Sequence, residues 1–167
     1  MKLSRNKYLK SIGMYKIFSE HMEELRILFD GGDLGEACAI AMAKTLGCAC
    51  LVTDDIKERG PYYTLMKTLD SEVIPFTFYE ILFPDYLEAR MSENELLEVF
   101  DNICAISELP WDILSKLKLF IKRFWINPYN KNEVEWMRKF CNNKGITDPR
   151  ARIAVLRDYI NKAIKQE

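Results

Sequence analysis

An α/β fold, a small parallel sheet flanked by helices and followed by an all-helical extension, is predicted by three features. The first is a small-residue helical run after Gly35 that Gly47 stops. The second is a short continuous apolar run, Cys48 to Val52, ending at Thr53, Asp54 and Asp55, as a strand in a parallel sheet covered on both faces does. The third is the pattern beyond Pro110, where three apolar stripes recur at helical spacing with no strand among them. This predicts two parts, an α/β region over 1–110 with an N-terminal amphipathic helix and a basic helical extension over 111–167.

Met14, Ile17, Phe18, Met22, Leu25 and Leu28 lie at helical spacing with Glu20, Glu23 and Glu24 opposite, which predicts an amphipathic helix from Met14 to Phe29. His21, the sole histidine, falls beside the stripe and reads as structural. Ala37, Ala39, Ala41 and Ala43 favour the next helix, and Ile40, Met42 and Leu46 give it apolar contacts. Gly60-Pro61 starts or interrupts a helix carrying Tyr62, Leu65, Met66 and Leu69. A second strand follows over Val73 to Phe78, and Pro75 makes it an edge or irregular strand because proline donates no ladder bond. Short helices are expected around Pro84. Ser92 and Glu95 form a capping box opening a helix from Glu93 to Ile106.

In the extension the stripes are Ile113, Leu114, Leu117, Phe120, Ile121 and Phe124; then Val134, Met137, Phe140 and Cys141; then Ile153, Leu156, Ile160, Ala163 and Ile164. Asn127-Pro128 and Asn142 to Gly145 supply the turns. Asp148 before Pro149 caps the last helix.

A chain of 167 residues, 49% hydrophobic, is long enough for one sizeable core. No run approaches the ~20 apolar residues that span a bilayer, and no secretory signal opens the chain, so it reads as soluble and cytoplasmic. The five cysteines, Cys38, Cys48, Cys50, Cys104 and Cys141, are odd in number and sit inside apolar patterns, as reduced core residues do. Cys48-Ala49-Cys50 has no His or Cys partner set for zinc. The net charge of −1 conceals polarity: residues 1–110 hold 11 Lys and Arg against 19 Asp and Glu, and residues 111–167 hold 13 against 6. Such polarity gives either two surfaces that meet each other or a basic face for an anionic partner.

The chemistry-bearing candidates are three acids. Glu36 opens the small-residue helix, and Asp54 and Asp55 end the strand, where open α/β sheets place ligands. A short connection folds helix and strand back on each other, so Glu36 can approach the two aspartates. Gathered carboxylates repel unless a cation neutralises them, and hard oxygen donors select Mg²⁺ or Mn²⁺. The plainer reading is that the helix dipole favours Glu36, that Asp54 caps the next helix and that Asp55 is solvated. Separately, Lys116 to Trp125, KLKLFIKRFW, interleaves Lys116, Lys118, Lys122 and Arg123 with aromatics, and Arg150, Arg152 and Arg157 add a second basic line. These either hold phosphates while Phe124 or Trp125 stacks on unpaired bases, or form the solvated face of a buried stripe.

The stretch GEACAIAMAKTLGCACLVTDD, with Lys57, Arg59 and the second strand after it, resembles the PIN-domain family, especially its bacterial toxin-like members, from about Leu34 to Ile103. The resemblance implies a Mg²⁺-dependent ribonuclease centre to which Glu36, Asp54 and Asp55 contribute. The family's opening strand with its Asp has no counterpart in Met1 to Asp30, so the likeness is to a truncated or degenerate member. RNA is the ligand implied. The alternative is a non-catalytic regulatory or antitoxin-like protein that keeps the fold and binds a protein partner or a second copy. No phosphate loop, nucleophile elbow or cofactor fingerprint marks a small-molecule enzyme.

Overall fold

The computed structural model describes residues 4–29, 34–56, 60–67, 73–129 and 131–165. Among the described residues the chain is mostly helical with one two-stranded parallel sheet, and it divides into two compact units, 1–77 and 78–167. The division falls well before the Pro110 boundary expected from sequence. The reason is packing: the helices between Tyr79 and Ile106, which pattern alone attached to the sheet, pack against the C-terminal helices.

The first unit runs α1 (Arg5–Ser11), α2 (Tyr15–Leu28), α3 (Leu34–Thr45), β1 (Cys50–Val52), α4 (Pro61–Lys67) and β2 (Ile74–Phe76). α2 packs on α3, which brings a small-residue surface because Ala37, Ala41 and Ala43 are buried there beside Ile40. Phe18 and Leu25 of α2 and Leu9 of α1 complete this core, while Ile17 and Leu28 of the expected stripe are exposed. Gly47, with φ +64°, ends α3: its N–H donates to Lys44 O, and Cys48 N–H reaches back to Ala43 O at 2.9 Å. That pair of bonds closes a helix most cheaply with glycine in the left-handed conformation.

β1 and β2 are parallel, with Cys50 opposite Ile74, Leu51 opposite Pro75 and Val52 opposite Phe76. Ile74 N–H donates to Ala49 O at 3.0 Å and Phe76 O accepts from Thr53 N–H at 2.8 Å. Residues 74 and 76 therefore face β1, and the donor that Pro75 lacks points to the outer edge, where it is not needed. The expectation that β1 is covered on both faces is corrected. Leu51 packs against the core, but Cys50 and Val52 are exposed, while their partners Ile74 and Phe76 are buried, so the exposure belongs to β1 and not to a whole face of the sheet.

The second unit holds α5 (Tyr79–Leu87), α6 (Glu93–Ile106), α7 (Ile113–Ile121), a π-helical turn (Lys122–Ile126), α8 (Lys131–Asn143) and α9 (Pro149–Ile164). α5 is one helix that includes Pro84 rather than two short ones; Leu82, Phe83, Tyr86 and Leu87 are buried on both sides of the proline and hold it. The capping box forms as expected, with Ser92 N–H donating to Glu95 Oε2 at 2.8 Å and Glu95 N–H to Ser92 Oγ at 3.3 Å. Asp148 caps α9 by accepting from Ala151 N–H at 2.9 Å. A ladder of rings, Phe83, Phe120, Phe124, Trp136 and Phe140, with neighbouring centroids 5.0–5.7 Å apart, fills the centre. No helix among the described residues is long and apolar enough to cross a membrane.

The charge polarity is largely internal to this unit: residues 78–167 carry 14 Lys and Arg against 14 Asp and Glu. The acidic helices α5 and α6 lie in the same unit as the basic ones, and Lys144 pairs with Glu88 at 2.6 Å.

Two helices end on left-handed residues other than glycine, Ala89 (φ 62°) and Glu108 (φ 52°). Both close their helices as Gly47 does, with Arg90 N–H bonded to Asp85 O and Leu109 N–H to Cys104 O. Glu108→Gly removes the steric penalty of a Cβ at that dihedral and a negative charge at a helix C-terminus. It is expected to stabilise the unit by about 1 kcal/mol, read as a higher urea midpoint; an unchanged or lower midpoint would contradict this.

Candidate nucleic-acid interface

α3 and β1 stand in the order the sequence predicts, Glu36 half-buried in the first turn of α3 and Asp54 and Asp55 half-buried just after β1. The chain leaves the strand at Thr53, whose hydroxyl accepts the Asp55 N–H at 3.2 Å, and Ile56 N–H returns to Asp54 O at 3.0 Å. The acids thus lie in a turn. Among the described residues no three His, Cys, Asp or Glu side chains gather into a group that holds a metal ion. Glu36, Asp54 and Asp55, expected to converge on Mg²⁺ or Mn²⁺, do not form such a group among the described residues. Lys57 and Arg59 lie outside the described residues.

The four basic residues expected to meet phosphates part into two pairs. Lys118 and Lys122 are exposed. Arg123 and Lys116 are buried, at 2% and 8% exposure, and face inward, which corrects their assignment to a phosphate-binding face. Arg123 lies three residues after Phe120 and one before Phe124, both buried, and the wider π-helical turn seats it on that same inner side. Its Nη1 donates to Glu80 Oε2 at 2.7 Å and its Nε to Glu133 Oε1 at 2.9 Å. Glu80 and Glu133 are themselves 1% and 0% exposed, and Glu133 Oε2 also accepts from Tyr129 N–H at 2.8 Å. Lys116 Nζ sits 3.9 Å from the Trp111 ring centroid and 5.6 Å from that of Tyr79. Burial pushes its ammonium below the ordinary lysine range, opposed by Cys104, Glu80 and Asp112. Sequence reading missed Glu80 and Glu133. The available signal was the isolated charge of Glu80 inside the apolar run Phe76 to Phe83, since a lone carboxylate there must find a cation.

Two of the concave sites among the described residues of this unit carry charged side chains. One, of about 320 Å³, is lined by Glu88, Lys144, Thr147, Asp148 and Arg152. Its charges serve the fold: Lys144 pairs with Glu88, and Arg152 Nη2 donates to Tyr86 O at 2.9 Å while its guanidinium covers the Tyr86 ring.

The other, of about 340 Å³, lies between the π-helical turn and α9. Ile121, Ile126, Ile153 and Ala154 line it with the half-buried Trp125, and Arg150 and Arg157 stand on it. Trp125 is propped by edge-on contacts to Phe120 and Phe124, with centroids 5.5 and 6.4 Å away. Arg150 makes no hydrogen bond or ion pair with the described residues, and Arg157 has only its neighbour Asp158 at 3.7 Å. Both guanidinium groups are exposed. They lie on one face of α9, about two helical turns apart. An aromatic ring in an apolar recess with two unspent planar cations is suited to a flat apolar group attached to an anion. The chain matches no known protein family, no curated protein and no solved structure.

Proposed function

We propose that this chain is a PIN-like nucleic-acid-binding protein that engages single-stranded RNA without a preformed three-carboxylate metal centre. The observation that carries this reading is the cleft between the π-helical turn and α9, where Trp125 stands with Arg150 and Arg157. An unpaired base stacks on Trp125, and the adjoining phosphates meet the two arginines and the exposed Lys122. The parallel β1–α4–β2 unit with Asp54 and Asp55 after the carboxyl end of β1 supports the PIN-like part of the reading.

Binding is tested by fluorescence anisotropy with a labelled single-stranded RNA. Each arginine that holds a phosphate adds about 0.7 to the slope of log affinity against log salt on a single strand, so Arg150→Glu with Arg157→Glu is expected to flatten that slope and weaken binding at least tenfold. Equal affinity and slope in variant and wild type would defeat the assignment. Metal dependence is tested by titrating Mn²⁺ into wild type and Asp55→Asn by calorimetry; heat that the substitution abolishes would restore a ribonuclease centre to the proposal.

A second reading, a non-catalytic partner-binding protein, is favoured by the uncovered face of β1, where Val52 is 50% exposed. Under it, RNA does not bind and size-exclusion chromatography with light scattering finds a mass above 19.6 kDa.

A further inference from the structure

Cysteine is among the residues most often buried, and three of the five here obey that tendency. Cys104 and Cys141 are buried, Cys141 against Met137, and the half-buried Cys38 accepts a hydrogen bond from Arg5. Cys48 and Cys50 do not: both are exposed, separated only by the equally exposed Ala49, at the junction of α3 and β1.

We propose that Cys48 and Cys50 together bind one soft monovalent cation, copper(I), as a two-coordinate bis-thiolate. The pair is held by backbone on both sides. Cys48 N–H is fixed to Ala43 O at the end of α3, and Cys50 stands in the ladder opposite Ile74. Two residues cannot separate their α-carbons by more than about 7 Å, and two metal–sulfur bonds of about 2.3 Å span about 4.6 Å. Exposed side chains rotate to that spacing without displacing core. The coordination number follows from what surrounds the pair. Zinc takes four ligands, and no third donor joins these two in a metal-binding group among the described residues. Thiolates select soft ions such as copper(I), and two of them satisfy an ion content with two ligands. On binding, each thiol releases one proton, two thiolates donate to one Cu⁺, and the complex carries a net charge of −1; no oxidation state changes.

This site lies in the first unit and is independent of RNA binding. The test uses the whole reduced chain, titrated anaerobically with copper(I) in competition with a coloured copper(I) chelator, and follows the ultraviolet thiolate-to-copper band. Wild type is expected to take one equivalent from the chelator. Cys48→Ser and Cys50→Ser are each expected to lose at least tenfold in affinity, and Cys38→Ser to behave as wild type. Circular dichroism checks that the exposed substitutions leave the fold in place. Retention of copper by both single variants would overturn the proposal. So would failure of wild type to compete.

Discussion

Arg123→Met is expected to lower the stability of the helical unit by about 3–5 kcal/mol, because it removes the guanidinium that bridges two buried carboxylates. Glu80 and Glu133 approach the guanidinium from α5 and from the first turn of α8, so this one side chain ties three segments. Its desolvation is compensated only while every partner is present. Urea unfolding followed by near-ultraviolet circular dichroism measures the loss. Because the network is buried, the loss should persist at high salt, where a surface ion pair would be screened. A change below about 1 kcal/mol, the range of exposed ion pairs, would show that the network does not hold the unit together.

Phe120→Ala is expected to cost about 3–5 kcal/mol, by removing a fully buried ring and leaving a cavity. Phe120 is 0% exposed, and its ring centroid lies 5.1 Å from that of Phe83, 5.0 Å from Phe124 and 5.5 Å from Trp125. The variant also loosens the support of Trp125, so RNA affinity should fall with stability. Phe120→Leu, which refills part of the volume, should recover a good part of both. An alanine variant with the wild-type urea midpoint would contradict the packing described.

Alkaline pH should act through Tyr86, whose phenol is pushed up to about 12, first by burial and then by its hydrogen bond to Glu93. A group whose folded pKa is raised contributes stability that is complete below its unfolded value near 10 and is lost as pH rises through the folded one. Wild type should therefore lose stability between pH 10 and about 12. Lys116, shifted in the opposite sense, adds stability as pH rises toward its unfolded value of 10.5, so the informative quantity is the difference from Tyr86→Phe. That variant should show the shallower loss, and identical pH profiles would refute the coupling.

The sequence alone determined those elements whose signals are local. The capping box at Ser92 and Glu95, the Asp148-Pro149 start of α9, the glycine stop at Gly47 and the order helix, turn, strand, acids each follow from a few neighbouring residues and recur in the structure. Tertiary structure decided what depends on partners far along the chain. The helices over 79–106 join the helical unit because their buried faces meet α7 and α9, which periodicity cannot express. Arg123 looked like a phosphate contact because its two glutamates lie 43 residues before and 10 residues after it. Cys48 and Cys50 looked like core because an apolar run carries no record of which of its residues other elements will cover. The physical reason is common to all three: hydrogen-bonded caps and turns are closed within one segment, whereas burial and ion pairing are properties of surfaces that only folding brings together.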